Sequence, residues 1–139
     1  MPVERTFAII KPNAVQDGHV GEILGEIERS GLKIRAMRLV RLTPELCRGF
    51  YHEHVGKGFY PGLEAFMTES PVVILCLEGE GAIQRWRDLM GATDPAKAAE
   101  GTLRRRFGSS IGRNATHGSD APASAAFEVG FFFSAFDLA

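Results

Sequence analysis

Cysteine is scarce: Cys47 and Cys76 are the only two, they have no CxxC spacing, and both lie in apolar surroundings. That pattern predicts reduced, buried thiols of a cytosolic protein. An excess of either charge is also lacking, since 16 Lys and Arg oppose 17 Asp and Glu for a net charge of −1. Near-neutrality removes the electrostatic case for nucleic acid or an anionic membrane as the main partner, so any positive charge that meets an anionic substrate must be local. No apolar run approaches the roughly 20 residues of a membrane span. The opening Met1-Pro2-Val3-Glu4-Arg5 has no basic flank followed by an apolar region, so no secretory leader is expected. Gly56-Lys57-Gly58 does not satisfy the spacing of a P-loop. His52-Glu53-His54 puts its histidines at i and i+2, which do not share a helix face, so a metal site is not expected there.

What is present is a chain of 139 residues, 45% hydrophobic, enough for one domain with a real core over residues 1–139. Thr6 to Ile10 is a short apolar run, as expected of a strand covered on both faces, and it ends at Lys11-Pro12-Asn13. A lysine between a buried strand and a proline turn is held in place rather than floppy. Val20, Ile23, Leu24 and Ile27 predict an amphipathic helix that stops at Ser30-Gly31. Leu32 to Leu42 alternates and then shifts phase, which predicts a long strand with a bulge or a doubly covered middle. Thr43-Pro44-Glu45 starts a helix that carries Cys47, Phe50 and Tyr51. Phe59-Tyr60-Pro61-Gly62 leads into another helix; the two aromatics suit either a hydrophobic staple or an exposed platform for a flat ligand.

Pro71 to Leu77 is the clearest buried strand, and Ala82, Ile83, Trp86, Leu89 and Met90 form a second amphipathic helix with Arg87 near its end. From Ala92 to Ser119 the apolar periodicity vanishes, apart from a possible helical turn at Thr102-Leu103-Arg104. A loop this long in a compact domain is usually functional or disordered. A short helix from Ala121 to Ala126 and a last strand from Val129 to Phe133 complete the expected order. The plan is α/β (α+β): a ferredoxin-like split βαβ arrangement, with extra helices and a long active-site loop.

Within that loop, Arg113-Asn114-Ala115-Thr116-His117-Gly118-Ser119-Asp120 presents an imidazole beside a glycine, with Ser119 or Asp120 placed to cap a following helix. A neutral imidazole is a good nucleophile and can carry a covalent intermediate. Taken alone, the residue suits a nucleophile or a solvated histidine. Lys11, Arg87, Arg104 and Arg113 come singly along the chain. Gathered around His117 they would meet the charge of a transferred phosphoryl group; left apart they are surface charges.

Along essentially its whole length the sequence resembles the nucleoside diphosphate kinase family. The resemblance is carried by Glu4-Arg5-Thr6-Phe7, Ile10-Lys11-Pro12-Asn13, Gly49-Phe50-Tyr51, Phe59-Tyr60-Pro61-Gly62-Leu63, Gly91-Ala92-Thr93-Asp94-Pro95-Ala96, Gly101-Thr102-Leu103-Arg104 and above all Asn114-Ala115-Thr116-His117-Gly118-Ser119-Asp120, which matches N-x-x-H-G-S-D. It implies a four-stranded antiparallel sheet and a ping-pong transfer in which His117 takes the γ-phosphate of a nucleoside triphosphate and passes it to a nucleoside diphosphate. It further implies that Lys11 and Asn114 contact the sugar hydroxyls and nearby phosphate, that Arg87, Thr93 and Arg104 hold the phosphates, and that Mg²⁺ bridges those phosphates rather than sitting in a protein cage. Phe59 would stack on the base with broad base acceptance, Tyr51 would lie close to His117, and Ser119 and Glu128 would orient the ring. Assembly as a homo-oligomer (tetramer, hexamer or dimer) and a cytoplasmic location are implied as well.

Three stretches depart from the family pattern. Arg105-Arg106 stand where relatives often have acidic or small residues, Glu69-Ser70 replaces a common Ser-Gly, and Phe127 precedes Glu128 where a charged residue is usual. Two other readings use the same residues. One is a nucleotide-binding module without transfer. The other is a ferredoxin-like nucleic-acid module using exposed aromatics and Arg104-Arg105-Arg106, whose affinity would fall steeply with salt.

Overall fold

The computed structural model describes residues 2–139. Its elements, in chain order, are β1 (Val3–Ile10), α1 (Pro12–Gln16), α2 (Val20–Arg29), β2 (Lys33–Val40), α3 (Pro44–Phe50), α4 (Tyr60–Thr68), β3 (Val72–Glu80), α5 (Ala82–Met90), α6 (Leu103–Phe107), β4 (Thr116–Gly118) and α7 (Pro122–Phe132). The four strands form one sheet in the order β2-β3-β1-β4, antiparallel throughout. This is the strand order of a ferredoxin-like split βαβ sheet.

The central strands read as continuous apolar runs because both sheet faces are covered. Phe7 and Ile9 of β1, with Val72, Ile74 and Cys76 of β3, join the cluster that holds Cys47, Phe50, Tyr51, Phe66, Met67 and Val129. Ala8 and Ile10, with Val73, Leu75 and Leu77, pack on the other side against Ile23, Ile27, Trp86, Met90 and Leu103. The phase shift expected in β2 is a register shift between Ile34 and Ala36. Thr43 caps α3 by accepting the Leu46 amide, as its position before Pro44 predicts.

The last part of the chain departs from expectation. No strand spans Val129 to Phe133; α7 runs unbroken from Pro122 to Phe132. Ala125, Val129 and Phe133 recur at i, i+4 and i+8 and are all buried, which is a helical stripe. The run Phe131-Phe132-Phe133 hid that stripe behind a β-like composition. The fourth strand is instead β4, three residues inside the segment expected to be loop. Three residues are too few to show a period of two.

The cap of α7 also differs. Neither Ser119 nor Asp120 is its N-cap; Ala121 is, and the hydroxyl of Ser124 accepts the backbone N–H groups of Asp120 and Ala121. The hydroxyl of Ser119 is engaged elsewhere, as described next.

Candidate active site

β4 is what places His117. Its register against β1 pairs Ile9 with His117 and Ala8 with Gly118, so alternation sends the imidazole to the Phe7 and Ile9 face. There the ring meets aromatic edges: its centroid lies 5.5 Å from that of Phe50, 6.2 Å from Phe7 and 6.4 Å from Tyr51. Gly118 points the opposite way, where a Cβ would stand 2.6 Å from both Trp86 and Met90. The glycine therefore lets β4 lie against the indole, and Trp86 Nε1 donates to the His117 carbonyl at 3.1 Å.

The turn before the strand is strained. Ala115 has φ +74°, and the Thr116 amide donates to the Asn114 carbonyl at 2.9 Å, which makes a tight γ-turn of the rare hand. The Lys11 amide donates to the Ala115 carbonyl at 2.7 Å and holds that turn against the end of β1. Backbone strain of this kind costs on the order of 1–3 kcal/mol and persists only where surrounding contacts enforce it.

The ring is oriented by a short chain of hydrogen bonds. His117 Nε2 lies 2.8 Å from Glu128 Oε1, the Ser119 hydroxyl donates to the same oxygen at 2.9 Å, and the Phe7 amide donates to Ser119 Oγ at 3.3 Å. An ionised carboxylate only accepts, so Nε2 carries the proton and Nδ1 keeps its lone pair. Among the described residues Nδ1 has no hydrogen-bond partner. Burial pushes the His117 pKa below the ordinary imidazole value, and Lys11 and Arg104 push the same way, while Glu128 opposes them. The imidazole is neutral at pH 7.

Beside it stands a group of cations. Lys11, only 8% exposed, donates to Asn114 Oδ1 at 2.8 Å, and Asn114 Nδ2 donates to the Thr93 carbonyl at 3.1 Å. Arg104 reaches the Gly91 and Thr116 carbonyls, both at 3.0 Å, and its buried Nε has no partner. Burial, then the charge of Arg104, pulls the Lys11 pKa down to about 7. Burial, then the charge of Arg87, pulls Arg104 down to about 10. Among the described residues none of Lys11, Arg87 and Arg104 makes a salt bridge. Three neighbouring cations without a salt bridge among the described residues are arranged for a multiply charged anion.

The remaining expected residues separate. Tyr51 is buried beside His117, its hydroxyl unpaired and its pKa driven up by burial. Arg87 is exposed at the end of α5, and Thr93 offers the site its backbone carbonyl. Phe59 is 57% exposed and packs on His54, with ring centroids 5.4 Å apart, so it is no staple; the platform alternative fits its position. Arg113 turns from the cation group to pair with Glu69 at 3.1 Å and to stack on Phe66, which accounts for the glutamate at that position. Phe7, Phe50 and Trp86 also touch the histidine unit, a contact their sequence context does not signal because an aromatic in an apolar run reads as core. Nothing in the residue type of Ala115 signals a positive φ.

A cavity of about 450 Å³ adjoins the ring, lined by Tyr51, His52, Asp120, Phe127 and Glu128 among others. None of Lys11, Arg87 and Arg104 lines it, so the anion-attracting groups border the histidine elsewhere.

The comparisons with known proteins point to one family. A relative from Syntrophotalea carbinolica, named nucleoside diphosphate kinase, is 54% identical over 98% of this chain and 99% of its own. The structure of the Aquifex aeolicus nucleoside diphosphate kinase superposes with a TM-score of 0.96 at 41% identity, covering 99% of this chain and 100% of that one. That of a Halobacterium salinarum nucleoside diphosphate kinase, in complex with CDP, does so with a TM-score of 0.95 at 39% identity, over 99% and 92%. The family described as nucleoside diphosphate kinase matches residues 4–138, and with an oriented histidine beside unpaired cations on the sheet of its solved members, this chain belongs to that family.

Proposed function

We propose that the chain, acting as one domain over residues 1–139, moves the γ-phosphate of a nucleoside triphosphate to a nucleoside diphosphate through phospho-His117. The observation that carries this reading is the 2.8 Å contact between His117 Nε2 and Glu128, which leaves Nδ1 as the free nucleophilic atom. In the first half-reaction the Nδ1 lone pair forms a bond to the γ-phosphorus. The bond to the β–γ bridging oxygen breaks, and its electron pair leaves with the diphosphate. The positive charge that develops on the ring is balanced by Glu128, which keeps its hydrogen bond to Nε2 throughout. In the second half a terminal oxygen of the acceptor diphosphate attacks the same phosphorus, and Nδ1 recovers its electron pair. No proton has to move.

Arg87, Thr93 and Arg104 hold the phosphates, with Lys11 adding its charge, and Lys11 and Asn114 position the sugar and the adjoining phosphate. The donor set here is cationic, which suits phosphate oxygens rather than a bare metal ion. Mg²⁺ would be held through the nucleotide phosphates rather than by side chains of this chain, and would supply charge neutralisation there. Phe59 stacks on the base, and a π-face without edge readout accepts purines and pyrimidines alike.

Phe59→Ala should weaken nucleotide binding by about 1–3 kcal/mol, read by calorimetry with Mg²⁺ and GDP or CDP. Unchanged affinity would remove Phe59 from the base site. Assembly into a homo-oligomer is supported by the open edge of β2, where Met37 and Leu39 are exposed, and light scattering gives its order. The two buried free thiols support a reducing compartment, the cytoplasm.

The test of the reading is incubation with γ-labelled ATP and Mg²⁺ without acceptor. An acid-labile, alkali-stable label that GDP or CDP discharges is the expected result. Nucleotide binding without any label would make the chain a silent nucleotide-binding module.

A further inference from the structure

We propose that Arg106 is a positioning residue for nucleotide binding: by bridging Glu22 and Glu26 of α2 it holds α6 in place, and with it the Arg104 guanidinium. The inference rests on the reading of the cation group as the phosphate site. α6 has five residues, far fewer than an isolated helix needs, and Thr102 gives it no side-chain cap. It also carries three consecutive arginines, whose repulsion disfavours the turn unless each is engaged.

Each arginine has a different partner. Arg104 donates to the Gly91 and Thr116 carbonyls within the site. Arg105 donates to the Ala96 carbonyl at 3.1 Å. Arg106 reaches across to α2, where it meets Glu22 Oε2 at 2.7 Å and Glu26 Oε1 at 3.4 Å. The two glutamates are one turn apart and share a helix face, so a single guanidinium fork spans both. Arg106 also lies 4.6 Å from the centroid of the Phe107 ring, and that ring is 4.3 Å from the imidazole of His19, the N-cap of α2. The end of α6 is therefore clamped onto the start of α2, while Leu103 buries its beginning in the core.

Residues 104 and 106 are two positions apart, about 200° around a helix. One side chain thus enters the site while the other points away from it to α2. The clamp acts on the nucleotide only through where it puts α6. Arginine at 106, one of the departures from the family pattern, is explained by the two carboxylates that face it.

The test uses the full-length chain and two readouts: calorimetric affinity for GDP with Mg²⁺, and steady-state KM and kcat with ATP as donor. Arg106→Glu should weaken GDP affinity and raise both nucleotide KM values about 5–10-fold, with kcat kept within about twofold, since the clamp is partly exposed and touches no reacting atom. The charge-exchanged double variant, Arg106→Glu with Glu22→Arg, carries the parent's net charge and should return affinity to within about threefold of the parent, which a loss of fold would not produce. Should Arg106→Glu fail to fold, Arg106→Lys keeps the charge without the fork and should raise KM about two- to threefold. Parent-like affinity in Arg106→Glu, or in Arg106→Lys should the former not fold, or a charge-exchanged double variant no better than Arg106→Glu, would overturn the proposal. A parent chain that binds GDP but forms no phosphoenzyme would sink the transfer reading alone, because the affinity series stands without it.

Discussion

His117→Ala is expected to abolish phosphoryl transfer, with a fall in kcat of at least about 10⁴-fold, the scale seen when a covalent nucleophile is removed. The variant loses Nδ1, the atom that bonds to phosphorus, while Lys11 keeps its bond to Asn114 and Arg104 its bond to the Thr116 carbonyl. GDP affinity should therefore stay within about threefold of the parent, because the ring is nucleophile rather than anchor. Rapid-quench measurement of label incorporation, beside calorimetry on the same preparation, separates the two quantities. Full turnover by the variant would refute the mechanism.

The same ring sets an acid limit on the rate. Its pKa lies below the ordinary imidazole value, chiefly because burial disfavours the charged form. Protonation consumes the Nδ1 lone pair, so transfer is lost as pH falls through that lowered pKa. Between pH 8 and pH 7 the ring stays mainly neutral, so His117 sets no half-maximal point there. A single-turnover rate that halved near pH 7.5 on account of His117 would contradict this.

Lys11→Met should separate function from stability. The buried ammonium is the cation that reaches Asn114, and without it the phosphate site loses charge in a water-poor setting. A fall in kcat/KM of about 10²–10³-fold is expected, as for other preorganised donors. Stability should move the other way. With its folded pKa near 7 against an ordinary value of 10.5, a protonated Lys11 costs the fold roughly 5 kcal/mol at pH 6. Methionine removes that cost and gives up a charged hydrogen bond to Asn114 worth about 1.5–3 kcal/mol. The net gain of about 2 kcal/mol should raise Tm at pH 6 by about 5 °C or more.

The sign of the pH dependence follows from the same shift. Between pH 7 and 10.5 the unfolded chain holds a proton on Lys11 that the folded chain has released, so parent stability rises with pH from 7 upward. Cys47, pushed up to about 11 by burial, acts in the opposite sense above its ordinary value near 9. The window that isolates Lys11 is thus about pH 7 to 8.5, and there the slope should flatten in Lys11→Met. A variant with lower Tm than the parent at pH 6 would show that Lys11 is held by contacts stronger than its burial cost.

Much of this molecule is legible in one dimension. The apolar runs of β1 and β3, the i, i+3, i+4 stripe of α2 and the Thr-Pro-Glu start of α3 are local patterns, and local patterns specify elements. The resemblance singles out the histidine and the residues expected around it because the stretches that carry it are short, spaced and in order. The failures are physical too. α7 extends through a phenylalanine run whose composition suits a strand, and only burial of Ala125, Val129 and Phe133 on one stripe shows a helix. β4 owes its existence to three residues of pairing with β1, which no window of sequence contains.

Residue order alone sets the supply of groups: one histidine in a small polar loop, cations spread from Lys11 to Arg113, and a glycine where β4 meets an indole. Folding sets which of those cations form salt bridges and which do not. Arg106 and Arg113 are paired with glutamates on α2 and beside α4, whereas Lys11, Arg87 and Arg104 are left to repel one another around the histidine. Coulomb energy depends on separation in space and on exclusion of water, and neither quantity is written in the order of residues along the chain.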